Sequence, residues 1–329
     1  MPGRALITQP IPEPGPSLVA AVAEEVTVPP EARPLTREEL HAAVSGKDAV
    51  LCLLTDRIDT EILDAASDCR VFANMAAGFD NIDVAAATER GILVTNTPGI
   101  LTEATADLTW TLILSVARRV VEGDRQMRSG QFRGWGPLYF LGADVTGRTL
   151  GLIGPGQIAT AVAERASGFK MRVLYCGRRA SPDLEALGAE RADLDRLLSE
   201  SDFVSLHVPL NDQTHHLIDA KALAKMKSSA YLINTARGPV VDEHALVEAL
   251  RLGRIAGAGL DVYEDEPRMA EGLADCPNTV LLPHLGSATH ETRSAMARIA
   301  AENLAAVLRG GRPPNLLNPE AYNLPRVSP

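Results

Sequence analysis

Midway along the chain, residues 149–166 read TLGLIGPGQIATAVAERA. A short apolar run leads into two glycines one residue apart, and an alanine-rich helical pattern follows. A continuous apolar run fits a strand covered on both faces, as in a parallel sheet. Gly154-Pro155-Gly156-Gln157-Ile158-Ala159 matches G-x-G-x-x-(G/A). In that pattern Gly154 makes the tight turn and Gly156 lets the backbone approach a pyrophosphate. The helix start supplies N–H groups and a positive dipole end, and small Ala159 lets the helix pack on the strand. Between a strand and a helix, the pattern reads as a dinucleotide-binding loop rather than an ordinary turn.

The rest of the chain repeats the strand–helix rhythm of a parallel α/β fold. After residue 148, six runs read as strands: 149–154, 172–176, 203–208, 231–235, 258–262 and 279–283, with helical patterns between them. Before residue 100, strands are expected at 5–8, 49–54, 71–75 and 92–94. Helices are expected there at 17–25, 35–44, 59–66 and 84–90. Thr36 and Glu39 have the capping-box spacing. A largely apolar helix is expected over 102–119, an irregular segment over 130–147, and a last helix over 291–308. The tail from 310 reads as a surface loop. If the second block is complete, the last helix must return to the first. The expected fold is therefore α/β, with two Rossmann-like domains built on parallel sheets. A dinucleotide-binding domain, 101–288, is inserted into a discontinuous substrate domain, 1–100 and 289–329, with hinges near 99–102 and 287–289.

The net charge of −10 over 329 residues argues against a general nucleic-acid or anionic-membrane surface. No run approaches the length of a membrane span. Cys52, Cys69, Cys176 and Cys276 are scattered, as reduced thiols are, which suits a cytoplasmic protein. His41, His207, His215, His216, His244 and His290 show no pairing with a carboxylate at ligand spacing, so no metal is expected.

The strand 172–176 ends at Cys176-Gly177-Arg178-Arg179. A site for NAD places an acidic residue near here, about 20 residues past the first glycine, for the ribose 2′-hydroxyl. None is present, and two guanidiniums follow, suited to a 2′-phosphate. NADPH is the expected cofactor.

Three strand ends carry candidate chemistry: NTARGPVVDE (234–243), GLDVYEDEP (259–267) and LLPHLGSAT (281–289). They place Arg237, Glu266 and His284 at the sheet edge where open α/β folds bind ligands. Hydride transfer to a 2-keto acid needs a cation for the carboxylate and carbonyl, and a proton donor for the developing alkoxide. An anion should hold that donor protonated and in one tautomer. Arg237, His284 and Glu266 match these roles one for one.

These stretches, with AAGFDNIDV (76–84) and LTEATADLTW (101–110), resemble the D-isomer-specific 2-hydroxyacid dehydrogenase family over nearly the whole chain. The segment 134–151 is most similar to its glyoxylate/hydroxypyruvate reductase branch. The resemblance implies that Arg237, Glu266 and His284 are catalytic. The steps between them, 29 and 18 residues, fit. It also implies that a loop at 74–78, including Ala76, Ala77 and Gly78, presents backbone N–H groups to a substrate carboxylate. Cofactor contacts are implied at Pro155, Gly156, Gln157, Ile158, Cys176, Gly177, Arg178, Pro209, Thr235, Ala236, Arg237, Asp261, His284 and Gly286. Family members are usually homodimers joined through the nucleotide domain and an arm, here about 100–145, and Trp135 would close the pocket of the partner. The expected activity is NADPH-dependent reduction of glyoxylate or hydroxypyruvate. The alternatives are another 2-hydroxyacid dehydrogenase acting on phosphoglycerate, D-lactate or 2-ketogluconate, and a nucleotide-sensing corepressor on the same fold.

Overall fold

A computed structural model describes residues 3–323. The chain divides into two compact units, one formed by the chain up to Leu101 and from Thr289 onward, the other by Thr102–Ala288. Both are α/β units built on wholly parallel sheets.

The first unit holds strands β1 (Gly3–Ile7), β2 (Ala23–Thr27), β3 (Ala49–Cys52), β4 (Val71–Asn74) and β5 (Leu93–Thr95). Their order is β2-β1-β3-β4-β5, a doubly wound arrangement. Alternate strand residues face opposite layers. Ala5, Ile7, Leu51 and Ala73 pack against Met296, Ala300 and Leu304 of the long helix His290–Leu308. Leu6, Val50, Phe72 and Val94 pack against Leu40, Ile62 and Ala87 of three shorter helices. Thr36, Asp59 and Asp83 cap those helices, and Thr36 with Glu39 closes the capping box.

Two expectations fail in this unit. Residues 17–25 are not one helix: the helix Gly15–Ala20 ends, and β2 begins at Ala23. β2 is an edge strand with an exposed, charged centre, so its pattern carries little strand signal, and pairing with β1 decides its state. The tail is no surface loop either. The Leu317 N–H donates to the Val94 carbonyl at 2.9 Å. Buried Asn318 accepts from the Val94 N–H at 2.8 Å and donates to the Ile92 carbonyl at 2.9 Å. The Asn side chain thus imitates a strand backbone and covers the edge of β5. Residues 324–329 of the expected tail lie outside the described residues.

The second unit holds β6 (Thr149–Ile153), β7 (Arg172–Cys176), β8 (Glu190–Arg191), β9 (Phe203–Leu206), β10 (Tyr231–Asn234), β11 (Gly257–Leu260) and β12 (Thr279–Leu281). Their order is β12-β11-β10-β9-β6-β7-β8. Seven strands replace the six expected, because the two-residue β8 is too short to show in sequence. The winding reverses between β6 and β9, the switch point where such sheets bind ligands. The apolar helix Thr102–Ala117 packs on this sheet. Trp110 donates from Nε1 to the Val162 carbonyl at 3.0 Å and stacks on Phe169. That helix stops two residues early. Arg119 is left-handed at φ 54°, and an unforeseen second helix runs Val120–Arg128. No described residue between 130 and 147 is helix or strand. No helix of the described residues is long and apolar enough to cross a membrane.

Candidate active site

The glycine loop follows β6. Gly154 has φ 102°, and a Cβ there would meet the His207 carbonyl oxygen at 2.6 Å. Both facts restrict the position to glycine. Gly156 caps the helix Gln157–Ala166, and a Cβ on it would meet nothing within 4 Å. Internal packing therefore does not demand this second glycine. Ala159 is fully buried at the helix–strand contact. His207, ending β9, has its Nε2 2.9 Å from Ser205 Oγ, and burial pushes its imidazole down to about 3. Burial thus favours its neutral form.

After β7, a Cβ on Gly177 would lie 2.4 Å from the Pro155 ring. The proline of the glycine loop thus excludes a side chain where an acid would otherwise stand. Arg178 and Arg179 are exposed. Arg191, on β8, donates to the carbonyls of Gly177 and Arg178 at 3.1 and 3.3 Å. This third guanidinium was invisible in sequence because β8 itself was.

The ends of β10, β11 and β12 build one tightly bonded cluster. Buried Asn234 donates to the Arg237 carbonyl at 2.9 Å and accepts from the Ala236 N–H at 3.0 Å. The turn carrying Arg237 is thereby closed from beneath, and Arg237 donates to the Ala236 carbonyl at 2.8 Å. Thr235 shares a hydrogen bond with Thr109 at 2.9 Å. A Cβ on Gly238 would overlap the Tyr263 carbonyl at 1.8 Å. The Arg237 turn can rest on the Tyr263–Glu266 turn only because residue 238 is glycine.

His284 Nδ1 stands 2.9 Å from Glu266 Oε2, and the Tyr263 N–H donates to Glu266 Oε1 at 3.0 Å. Burial pushes the Glu266 carboxyl up. The His284 hydrogen bond and charge, the Tyr263 amide and the Arg237 charge outweigh it and hold the carboxyl below its ordinary range. His284 has φ 56°, a left-handed backbone that costs about 1–2 kcal/mol in a non-glycine residue. Asp261 holds it there. The Asp261 carbonyl accepts from the His284 N–H at 2.9 Å, and its carboxylate accepts from the N–H groups of Leu285 and Gly286 at 2.6 and 2.8 Å. A second buried carboxylate, Glu243, accepts from Glu264 and Ala270 N–H at 2.6 and 2.9 Å. Sequence reasoning gave Asn234 and Glu243 no role; short polar side chains at strand ends within the motifs were the available signal.

The expected nucleotide and catalytic residues thus line the carboxyl edge of one sheet: 154–158, 176–179, Pro209, 235–237, Asp261, Glu266 and 284–286. Trp135 lies apart, on the irregular segment and 85% exposed. Ala76, Ala77 and Gly78 belong to the first unit. There the Thr97 N–H, Asn96 Nδ2 and Asn74 Nδ2 donate to the carbonyls of Ala76, Ala77 and Gly78 at 2.9, 2.7 and 3.0 Å. Among the described residues, the three N–H groups of this loop have no acceptor within the chain.

One grouping here was not foreseen. Histidines do meet a carboxylate at ligand spacing: His215, His216 and Glu264 place ligand atoms within 4.8 Å of one another. The chain brings Glu264 in from 48 residues beyond His216, a distance that local spacing cannot reveal.

Residues 110–286 match the NAD-binding domain of the D-isomer-specific 2-hydroxyacid dehydrogenases. A glyoxylate reductase of Thermococcus litoralis is 50% identical over 324 residues, covering 97% of each chain. A crystal structure of a Thermus thermophilus protein aligns with TM-score 0.90 at 47% identity, over 95% of this chain and 99% of that one. An NADPH-dependent glyoxylate/hydroxypyruvate reductase of Sinorhizobium meliloti, solved with NADP and malonate, aligns with TM-score 0.86 at 31% identity, over 99% and 100%. With this similarity along its length and a nucleotide loop and polar cluster on one sheet edge, the chain belongs to the D-isomer-specific 2-hydroxyacid dehydrogenases, a family of NAD(P)-dependent oxidoreductases.

Proposed function

We propose that this enzyme reduces a small 2-keto acid, glyoxylate or hydroxypyruvate, to the D-2-hydroxy acid with NADPH. The observation that carries the reading is the 2.9 Å His284–Glu266 pair on the sheet edge that also bears Arg237 and the glycine loop. Bound NADPH supplies the hydride. The residues present suit that cofactor. Gly156 keeps a bare backbone at a helix start where the protein itself needs none, and a pyrophosphate is what such a start attracts. Pro155 keeps a carboxylate away from position 177, and Arg178 and Arg179 offer guanidiniums to a 2′-phosphate. The NADP bound to the Sinorhizobium relative agrees.

Arg237 clamps the substrate carboxylate and polarises the carbonyl at C2. The N–H groups of Ala76, Ala77 and Gly78 are suited to receive a carboxylate. Glu266 stays ionised and accepts from His284 Nδ1, which leaves Nε2 to deliver a proton to the oxygen at C2. A second copy of the chain covers the segment where Met127, Trp135, Leu138 and Leu141 are each more than 60% exposed. A monomer seldom leaves such a patch to water. Trp135 then bounds the pocket of the partner copy.

Turnover of NADPH with a panel of 2-keto acids tests the reading. Glyoxylate and hydroxypyruvate should be reduced, and His284→Ala should lower kcat by about 10²–10⁴-fold with NADPH binding unchanged. Absence of turnover, or full turnover in the variant, overturns it. Arg178→Asp should raise KM for NADPH by about tenfold or more and spare NADH; equal effects on both would refute the cofactor assignment. Position 177 is left alone in this test, since any side chain there strikes Pro155.

A further inference from the structure

The cluster of His215, His216 and Glu264 lies outside the proposed chemistry, and we propose that it is a binding site for a divalent transition metal of the zinc class. His216 Nε2 is 2.6 Å from Glu264 Oε1. The His215 ring lies against that of His216, with centroids 4.1 Å apart and planes inclined by 30°. Two imidazoles and a carboxylate form a ligand set that zinc accepts, with a fourth position left for water.

The backbone under each ligand is tied down. The His215 N–H donates to the Asn211 carbonyl at 2.9 Å, the His216 N–H to the Pro239 carbonyl at 2.8 Å, and the Glu264 N–H to Glu243 at 2.6 Å. His216 is held left-handed at φ 50°. The side chains are the movable parts, since His215 is exposed and His216 and Glu264 are half-buried. Donors bound at about 2.0–2.2 Å around a tetrahedral ion stand roughly 3.3–3.6 Å apart. The His216–Glu264 pair must therefore open by about an ångström while His215 closes inward, which torsions at the surface can deliver. The ion replaces the His216–Glu264 hydrogen bond as the link between the 211–217 loop and the turn bearing Glu264.

Nitrogen-rich donors select zinc, nickel, cobalt or copper over magnesium and calcium. Chelator-treated full-length protein should therefore bind one Zn²⁺ at this site by calorimetry, and Co²⁺ there should give the visible absorption of a low-coordinate nitrogen/oxygen site. Zn²⁺ should raise Tm, and Mg²⁺ should not. His215→Ala removes an exposed side chain, so it should fold and turn over NADPH as the parent does. It should weaken Zn²⁺ binding by at least about tenfold and abolish the Tm shift. Glu264→Gln should weaken binding likewise, and His284→Ala should leave it intact. Undetectable Zn²⁺ binding, equal affinity in His215→Ala, or loss in His284→Ala instead would each overturn the proposal, the last by placing the ion on the His284–Glu266 pair.

Discussion

The two parallel sheets end their carboxyl edges with different balances of carboxylates and amides; Asn234 donates to a carbonyl at one and Asp56 accepts the Leu53 N–H at the other. At the edge of the second, buried carboxylates accept backbone N–H groups: Asp261 takes Leu285 and Gly286, and Glu243 takes Glu264 and Ala270. At the edge of the first, asparagine amides donate to backbone carbonyls: Asn74 to Gly78 and Asn96 to Ala77. The nearby Asp56 is buried, and burial pushes its carboxyl up toward the neutral form. The first arrangement consumes N–H groups and holds charged side chains in a fixed pose. The second consumes carbonyls and leaves N–H groups over. One edge carries Arg237 and His284; the other carries backbone N–H groups with no acceptor among the described residues. On the proposed function the former serves the chemistry and the latter serves recognition.

The sharpest way to break the comparison is Asp261→Asn. An amide nitrogen would then face a backbone N–H, so one acceptor is lost and two donors are set against each other. His284 would be released from its left-handed pose while its own chemistry stays intact. A displacement on the order of an ångström at a reacting group can cost about 10²-fold, so kcat should fall by that order with KM for the keto acid nearly unchanged. A KM effect of similar size would place Asp261 on the recognition side and dissolve the contrast.

A milder change probes the other edge. Asn96→Ala removes the 2.7 Å bond to the Ala77 carbonyl and lets the loop turn its N–H groups away. A hydrogen bond of this kind contributes about 1 kcal/mol. KM for the keto acid should rise roughly fivefold, with kcat and KM for NADPH held. A fall in kcat without a change in KM would show that this loop does more than bind.

How much of this could be read from the sequence follows from the same contrast. Buried parallel strands advertise themselves as apolar runs, so β7 lies over 172–176 as expected and the other core strands differ mostly by a residue or two. The glycine loop and the strand-end motifs carry their meaning in local spacing. What escaped depends on partners distant in the chain. β2 is polar and exists through β1; β8 is two residues long; Asn318 is buried because β5 lacks an outer neighbour. Both carboxylate oxygens of Asp261 hold backbone N–H groups more than twenty residues away, contacts that local spacing does not reveal. Glu264 and His216 likewise meet only through the fold.

The smallest expected effect separates the two carboxylates of the chemical edge by pH. Burial is the largest influence on each. At Asp261 it prevails over the Leu285 and Gly286 amides and the His284 charge, with Glu266 adding to it, so the carboxyl is raised. At Glu266 burial is outweighed, and the carboxyl is lowered. By linkage, the stability Glu266 contributes is present above the ordinary glutamate value of about 4.3 and is lost as pH falls through its lowered value. For Asp261 the sign is reversed: the folded chain binds the proton more tightly than the unfolded one, so its ionisation subtracts stability as pH rises. On descent from neutral pH, Asp261 takes up its proton above the ordinary aspartate value, and Glu266 takes up its proton below the ordinary glutamate value. A protonated Asp261 offers one acceptor fewer to the His284 turn, and kcat should fall a few-fold above the ordinary aspartate value of about 3.9. This acid limb should persist in Glu266→Gln on a lower overall rate and vanish in Asp261→Asn. The opposite pattern would assign the limb to Glu266 and make the histidine's own partner, rather than the turn beneath it, the acid-sensitive element of the site.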